Sequence, residues 1–205
     1  NTGQTTQPFT ITVANVNDAP EFTSTEITSA TQDVAYLYNI TTEDIDLDAL
    51  IITAPTLPNW LSLTDNGDTT ATLEGTPTNN EVGDHSVILQ VTDSTVVVSQ
   101  PFTITVANVN DPPTFTSTAV TAATQDVAYL YTITTQDIDG DSLTITAPTL
   151  PAWLTLTDNG DTTATLEGTP TNNEVGDHSV ILQVADPNTG QTTQPFTITV
   201  ANVND

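Results

Sequence analysis

The chain has 205 residues, 26 of them acidic and none Lys or Arg, for a formal charge of −26. It therefore cannot grip nucleic-acid phosphates or an anionic membrane surface, both of which require clustered cations. It also has no Cys, which removes disulfides and thiolate metal sites and leaves compartment undetermined by thiols.

In chain order, residues 1–18 come first, NTGQTTQPFTITVANVND, and the same eighteen residues return at 188–205. Phe9, Ile11 and Val13 alternate with Thr10 and Thr12, so the segment reads as the last strand and linker of a preceding repeat. With no Met even at position 1, the chain reads as an internal excerpt or a processed product. A lone strand with an apolar face needs a partner. A neighbouring chain or repeat is expected to supply it, either by strand donation between subunits or through the continuity of a longer fibre.

Residues 19–111 form the first complete repeat. Period-2 alternation predicts strands over 22–28, 35–41, 49–53, 60–64, 70–74, 86–92 and 96–107. Asp65-Asn66-Gly67-Asp68 predicts a type I′ hairpin turn, because Asn-Gly tolerates positive φ at both central positions. Gly75-Thr76-Pro77 marks another turn. Residues 112–205 form the second repeat: residues 63–91 recur unchanged at 156–184, and Trp153 answers Trp60. The linker Asn15-Val16-Asn17-Asp18 returns at 108–111 and again at 202–205, spacings of 93 and 94 residues. Seven short strands in about 93 residues predict an all-β protein of tandem Greek-key sandwiches. Phe22, Tyr36, Tyr38, Trp60 and Leu61 are the expected core. No stretch is apolar for the roughly 20 residues of a membrane helix, and no signal peptide is visible.

Carboxylates concentrate in two places. The first is Asp44-Ile45-Asp46-Leu47-Asp48, matched by Asp137-Ile138-Asp139-Gly140-Asp141. Alternate residues of an extended segment share a side, so these side chains converge. Two carboxylates ~5 Å apart repel by ~0.8 kcal/mol in water and ~3 kcal/mol at an effective dielectric of 20. No Lys or Arg exists to offset that, whereas Ca²⁺ accepts six to eight oxygens in loose geometry. The second place is the repeat junction, where Asn15, Asn17 and Asp18, or Asn108, Asn110 and Asp111, precede a Pro-stiffened joint. The plain alternatives are a solvated acidic loop and an ordinary Pro-rich linker.

At this point the chain resembles a known family. Asn-Val-Asn-Asp-Ala-Pro-Glu-Phe resembles the cadherin junction. Asp-x-Asp, together with Val91-Thr92-Asp93 and Val184-Ala185-Asp186, resembles the cadherin calcium motifs. The stretch from Leu57-Pro58-Asn59-Trp60-Leu61 to Leu73-Glu74-Gly75-Thr76-Pro77-Thr78-Asn79 is similar to cadherin-like (dystroglycan-type) and immunoglobulin-like tandem repeats of bacterial and archaeal surface adhesins and extracellular fibres. The resemblance implies calcium at the joints between repeats. Asp44, Asp46 and Asp93 would join Asn15, Asn17 and Asp18, and Asp137, Asp139 and Asp186 would join Asn108, Asn110 and Asp111. Asp48 and Asp141 stand beside them, and Glu74 would be donated to the second junction by the preceding repeat. A second linker Asn is missing after Asp18 and Asp111, and Ala119 stands where Glu26 would supply an early-strand glutamate. Fewer ions per junction than in animal cadherins are therefore expected.

Other features carry less. Asp84-His85-Ser86 holds triad residue types, but three consecutive residues cannot form a relay. One His per repeat is thin for a transition-metal site. Asn39-Ile40-Thr41 is a glycosylation sequon that the second repeat lacks. The chain thus reads as a non-enzymatic structural or adhesive repeat, extracellular or on a cell surface, whose partners are neighbouring repeats and copies of itself. The alternatives are a module binding cell-surface or matrix glycans, and a halophile surface-layer repeat whose acidity serves only solvation.

Overall fold

The computed structural model describes residues 2–204. The chain divides into two compact units, residues 1–108 and 109–205. Among the described residues the first unit contains β1 (Glu21–Phe22), β2 (Ser29–Thr31), β3 (Tyr36–Glu43), β4 (Ile51–Thr56), β5 (Leu61–Asp65), β6 (Thr70–Gly75), β7 (Gly83–Thr92) and β8 (Val97–Ala107). They form two four-stranded sheets, β1-β3-β6-β5 and β2-β8-β7-β4. The second unit contains β9 (Thr114–Phe115), β10 (Ala122–Thr124), β11 (Tyr129–Gln136), β12 (Thr144–Thr149), β13 (Leu154–Asp158), β14 (Thr163–Gly168), β15 (Gly176–Ala185) and β16 (Gln191–Ala201). Its sheets are β9-β11-β14-β13 and β10-β16-β15-β12.

The alternation that predicted strands also decides what they bury. In β3, Tyr36, Tyr38, Ile40 and Thr42 point inward while the residues between them face solvent. In β7, Val87, Leu89 and Val91 do the same, and Ile104 and Val106 close the core from β8. Tyr36, Tyr38 and Leu61 are buried as expected, and Phe22 and Trp60 pack half-buried against them. The second unit repeats this set around Tyr129, Tyr131 and Leu154. Gly75 marks a close approach, since a Cβ there would run into the Trp60 carbonyl oxygen, and Gly168 meets Trp153 in the same way.

Two local expectations change. In place of the single strand expected over 22–28, two short strands stand at its ends, β1 pairing antiparallel with β3 and β2 pairing parallel with β8. The chain crosses between sheets there, which gives eight strands per unit rather than seven. The turn at 66–69 is not type I′: Gly67 and Thr69 take positive φ while Asn66 does not. The Asp65 and Asp68 carboxylates accept the N–H groups of Gly67 and Thr70 and hold a wider loop. Residues Asn79–Glu81 form a 3-10 turn capped by Thr78, whose N–H and hydroxyl both donate to Glu81 Oε2. His85 Nε2 lies 2.6 Å from the Glu81 carbonyl oxygen, and its ring stands edge-on to Trp60 at 5.9 Å. Both contacts give His85 a packing role.

Residues 2–19 lie outside any strand of this chain. Phe9, Ile11 and Val13 are 79%, 74% and 87% exposed, whereas Ile198 and Val200 of the identical segment are 0% and 2% exposed. A strand persists only with a ladder partner, and the positions this sequence fits are filled by β8 and β16. Asn1, the first residue of the leader segment, and Asp205, the last residue of the third linker, lie outside the described residues.

Candidate cation sites at the sandwich ends

In the first unit, β3 ends at Glu43 and Asp44 turns the chain. Asp44 Oδ1 accepts the N–H groups of Asp46 at 2.8 Å and Asp48 at 3.4 Å, the local bond that lets Asp fold its own backbone into a tight loop. Leu47 takes φ +62° to complete it. This anchoring leaves Asp44 Oδ2 buried and without a hydrogen-bond partner, on a residue only 8% exposed. Asp44, Asp46 and Asp48 each present a carboxylate oxygen within 4.8 Å of the others.

Linker and loop donors surround them. Asp46 accepts Asn15 Nδ2 at 2.8 Å and the Asp18 N–H at 2.7 Å. Those two bonds, the backbone one first, hold its carboxyl below the usual range. Asp93, just past β7, accepts the N–H groups of Thr95 and Val96 on Oδ1 and Asn17 Nδ2 on Oδ2. The Val96 N–H, followed by Asn17, pulls its pKa down to about 2. The linker residues Asn15, Asn17 and Asp18 are thus tied to the acidic loop and to Asp93.

The second unit builds the same end. Asp137 Oδ1 accepts the N–H groups of Asp139 and Asp141 at 2.9 and 3.2 Å. Asp139 Oδ2 accepts the Asp111 N–H at 2.7 Å, and Asn110 Nδ2 donates to Asp186 Oδ2 at 3.0 Å. The Asn110 bond is the main cause of a lowered Asp186 pKa. Asp137, Asp141 and Asp186 place carboxylate oxygens within 4.8 Å of one another. Asn110 Oδ1, Asp137 Oδ2 and Asp139 Oδ1 are buried without a partner.

Two expected residues lie outside these bonded clusters. Glu74 is exposed in β6, opposite Leu37 and Ser62, in the first unit, whereas its expected role is at the second junction rather than at the Asp44 loop. Asn108 is exposed and ends the first unit. The sequence reading missed Glu21 and Glu43, which face each other across β1 and β3. A hydrogen bond to Glu21 and repulsion from it push the Glu43 carboxyl up. Both line a hollow of about 610 Å³ with Asp18, Ala19, Asp44, Ile45 and Leu47. Their closeness to Asp18 and Asp44 in sequence was the available signal. Asn188 was missed too; its Nδ2 donates to Asp141 Oδ2 at 2.9 Å.

The donor set is all oxygen, as a hard divalent cation requires, and lacks the nitrogen and sulfur that a zinc site uses. Isolating a carboxylate oxygen from water and from every donor costs several kcal/mol. The buried Asp44 and Asp137 oxygens are therefore the atoms a calcium ion would satisfy, and the residues present fit one.

Residues 19–107 and 112–201 each match the family described as Putative Ig domain. Among solved structures, extracellular cadherin domains 1–5 of protocadherin gamma B2 are similar at 16% identity and a TM-score of 0.65, over 93% of this chain and 40% of that one. Human protocadherin-24 EC1-2 is similar at 20% identity and 0.52, over 93% of this chain and 100% of that one. At such identities the likeness is one of fold. An endo-fucoidan hydrolase of glycoside hydrolase family 107 aligns at 30% identity with a TM-score of 0.44, over 90% of this chain. The chain spans 29% of that enzyme's length. No curated protein matches.

Proposed function

This chain belongs to the Putative Ig domain family through two tandem copies, and from that premise we propose that it is a non-catalytic structural segment of an extracellular protein, stiffened by calcium at the ends of its sandwiches. The repeats run 19–111 and 112–205, and 1–18 is the closing strand and linker of a preceding repeat. The observation that carries the reading is the pair of buried, partnerless oxygens, Asp44 Oδ2 and Asp137 Oδ2, in a chain with no Lys or Arg.

Asp44, Asp46, Asp48 and Asp93 would hold the ion in the first unit, and Asp137, Asp139, Asp141 and Asp186 in the second. Bound calcium supplies positive charge that these crowded carboxylates lack. The chain's own residues do the rest. Asp44 and Asp137 fold their loops through backbone N–H groups. Asp18 and Asp111 fasten the linker to those loops. Asn17 and Asn110 tie the linker to the strand-end acids. An ion that binds only the assembled arrangement stabilises it by RT ln(1 + [L]/Kd), about 2.7 kcal/mol at a hundred times Kd.

Thermal unfolding of the full chain in calcium, against NaCl of equal ionic strength, tests this. Calcium should raise the melting temperature and EDTA should reverse the rise. An equal rise in NaCl would assign the acidity to solvation and remove the calcium role.

A further inference from the structure

We propose that the free edge of β3, and the matching edge of β11, takes up an extended cationic segment of a partner protein as an added strand. Thr41 faces the β1 side of β3: its carbonyl accepts the Thr23 N–H, and its own N–H donates to Ser24 Oγ. Thr42 faces the other side, where its N–H donates to the Thr69 carbonyl. Successive residues of a strand direct their N–H and C=O groups to opposite edges, so Leu37 and Asn39 face the β1 side with Thr41. The β1 ladder pairs only Glu21↔Glu43 and Phe22↔Thr42, and beyond Ser24 the chain leaves toward β2. The N–H and C=O groups of Leu37 and Asn39 therefore meet no strand, which makes them a template for one. In β11 the Thr134 carbonyl and N–H are taken by Thr116 and Ser117, and Leu130 and Thr132 are left facing out in the same way.

Apolar surface and charge lie along the same edge. Ile27, Val34 and Leu37 are exposed beside it, and with Ala30 and Ala35 they line a hollow of about 240 Å³. Val120, Val127 and Leu130 are exposed at the same places in the second unit, so the feature belongs to the repeat and not to one end of the chain. By contrast Ile51, exposed on edge strand β4, is answered by Thr144. The acids nearby select the occupant. Glu74 lies across from Leu37 in β6, Asp33 is exposed next to Val34, and Glu26 acts electrostatically on Tyr38. Glu167 and Asp126 are exposed at the equivalent places, and no Lys or Arg offsets any of them. A second copy would bring its own charge of −26 to this edge, whereas a segment alternating Lys or Arg with apolar residues suits both features. Its side chains fall on opposite faces. In a ladder continuing that of β1, the cationic set lies beside Leu37 and Glu74 and the apolar set enters the hollow. The open stretch 36–40 spans about 17 Å, enough for five residues of such a segment.

The test titrates an end-blocked heptapeptide of alternating Lys and Val into the full, isotope-labelled chain, in calcium and at physiological ionic strength. Nuclear magnetic resonance should show the amides of Leu37, Asn39, Leu130 and Thr132 shifting and gaining protection from hydrogen exchange. Residues opposite one another in an antiparallel ladder share a face, so the Lys N–H groups are the ones that bond the edge. A peptide N-methylated at its Lys residues keeps its charge and side chains but should bind roughly tenfold more weakly or worse. One N-methylated at its Val residues should bind as the parent does. Leu37→Ser with Leu130→Ser, both at exposed positions, should weaken binding of the parent peptide. Absence of binding, one affinity for both methylated peptides, or shifts confined to the Asp44 and Asp137 loops would overturn the proposal. So would protection of the same amides by concentration of the chain alone, which would give the edge to a second copy.

Discussion

In the first unit Asp46 has both carboxylate oxygens engaged, by Asn15 and by the Asp18 backbone. In the second unit the corresponding Asp139 keeps Oδ1 buried and partnerless, as are Asn110 Oδ1 and Asp137 Oδ2. The loops that follow the strand-end acids differ as well. Asp93 is followed by Thr95 and Val96, which fill its Oδ1. Asp186 is followed by one more residue before β16 begins, which accounts for the 94-residue spacing, and its Oδ1 is filled by Asn188 and Gly190. Among the described residues, nearly the same acids therefore leave one buried carboxylate oxygen unsatisfied in the first unit, Asp44 Oδ2, and two in the second, Asp137 Oδ2 and Asp139 Oδ1. What differs is the supply of N–H donors, and the second end should gain more from a cation.

The largest test removes that gain. Asp137→Asn with Asp139→Asn should abolish the calcium-induced stabilisation of the second unit, about 2.7 kcal/mol at a hundred times Kd, and leave the first unit's intact. Each unit holds one Trp, so W60F and W153F backgrounds read the two melts separately by fluorescence. Equal losses in both units would erase the distinction. Next, Gly190→Ala places a Cβ against Asp186 Oδ2 and the Pro112 backbone, and should destabilise the second unit by about 2 kcal/mol. Val96, which already carries a Cβ, occupies that place in the first unit.

A smaller effect concerns the loop itself. Leu47 and Gly140 both take positive φ, +62° and +77°, a conformation that costs a β-carbon-bearing residue about 1 kcal/mol. Leu47→Gly should stabilise the first unit by about that amount in chemical denaturation, and Gly140→Leu should destabilise the second equally.

The smallest effects are electrostatic. Asp93 has a folded pKa of about 2, below the ordinary value of about 3.9. Its contribution is therefore complete above about pH 4 and is lost as pH falls toward 2. Glu43 has the opposite sign: its raised pKa, caused by Glu21, means repulsion that is absent in acid and grows as pH rises through that pKa. Glu43→Gln, which installs the residue found at Gln136, should flatten that part of the first unit's profile while leaving the Asp93 limb. An unchanged profile would mean that Glu21 and Glu43 do not interact.

Most of β3 to β8 was legible because the side chains alternate between core and solvent; β4, expected over 49–53, runs Ile51–Thr56 with a register shift between Thr53 and Thr56. The split between β1 and β2 was not, since a sheet crossing leaves no period in seven residues. The 66–69 loop was misread because Asn-Gly chemistry was outweighed by the Asp65 and Asp68 side chains binding the backbone locally. At the sandwich ends, the acidic spacing marked Asp44, Asp46 and Asp48. The pairing of Glu21 with Glu43 came from strand register, and the Asn188 contact from a loop, neither of which spacing encodes.

The central claim is that a divalent cation completes the buried oxygens of both sandwich ends, and anomalous diffraction from crystals grown in calcium tests it most directly. The account predicts a peak in each unit about 2.3–2.6 Å from Asp44 Oδ2 and from Asp137 Oδ2, the second at higher occupancy when calcium is limiting. Well-ordered density with neither peak, and those two oxygens turned out to water, would contradict it.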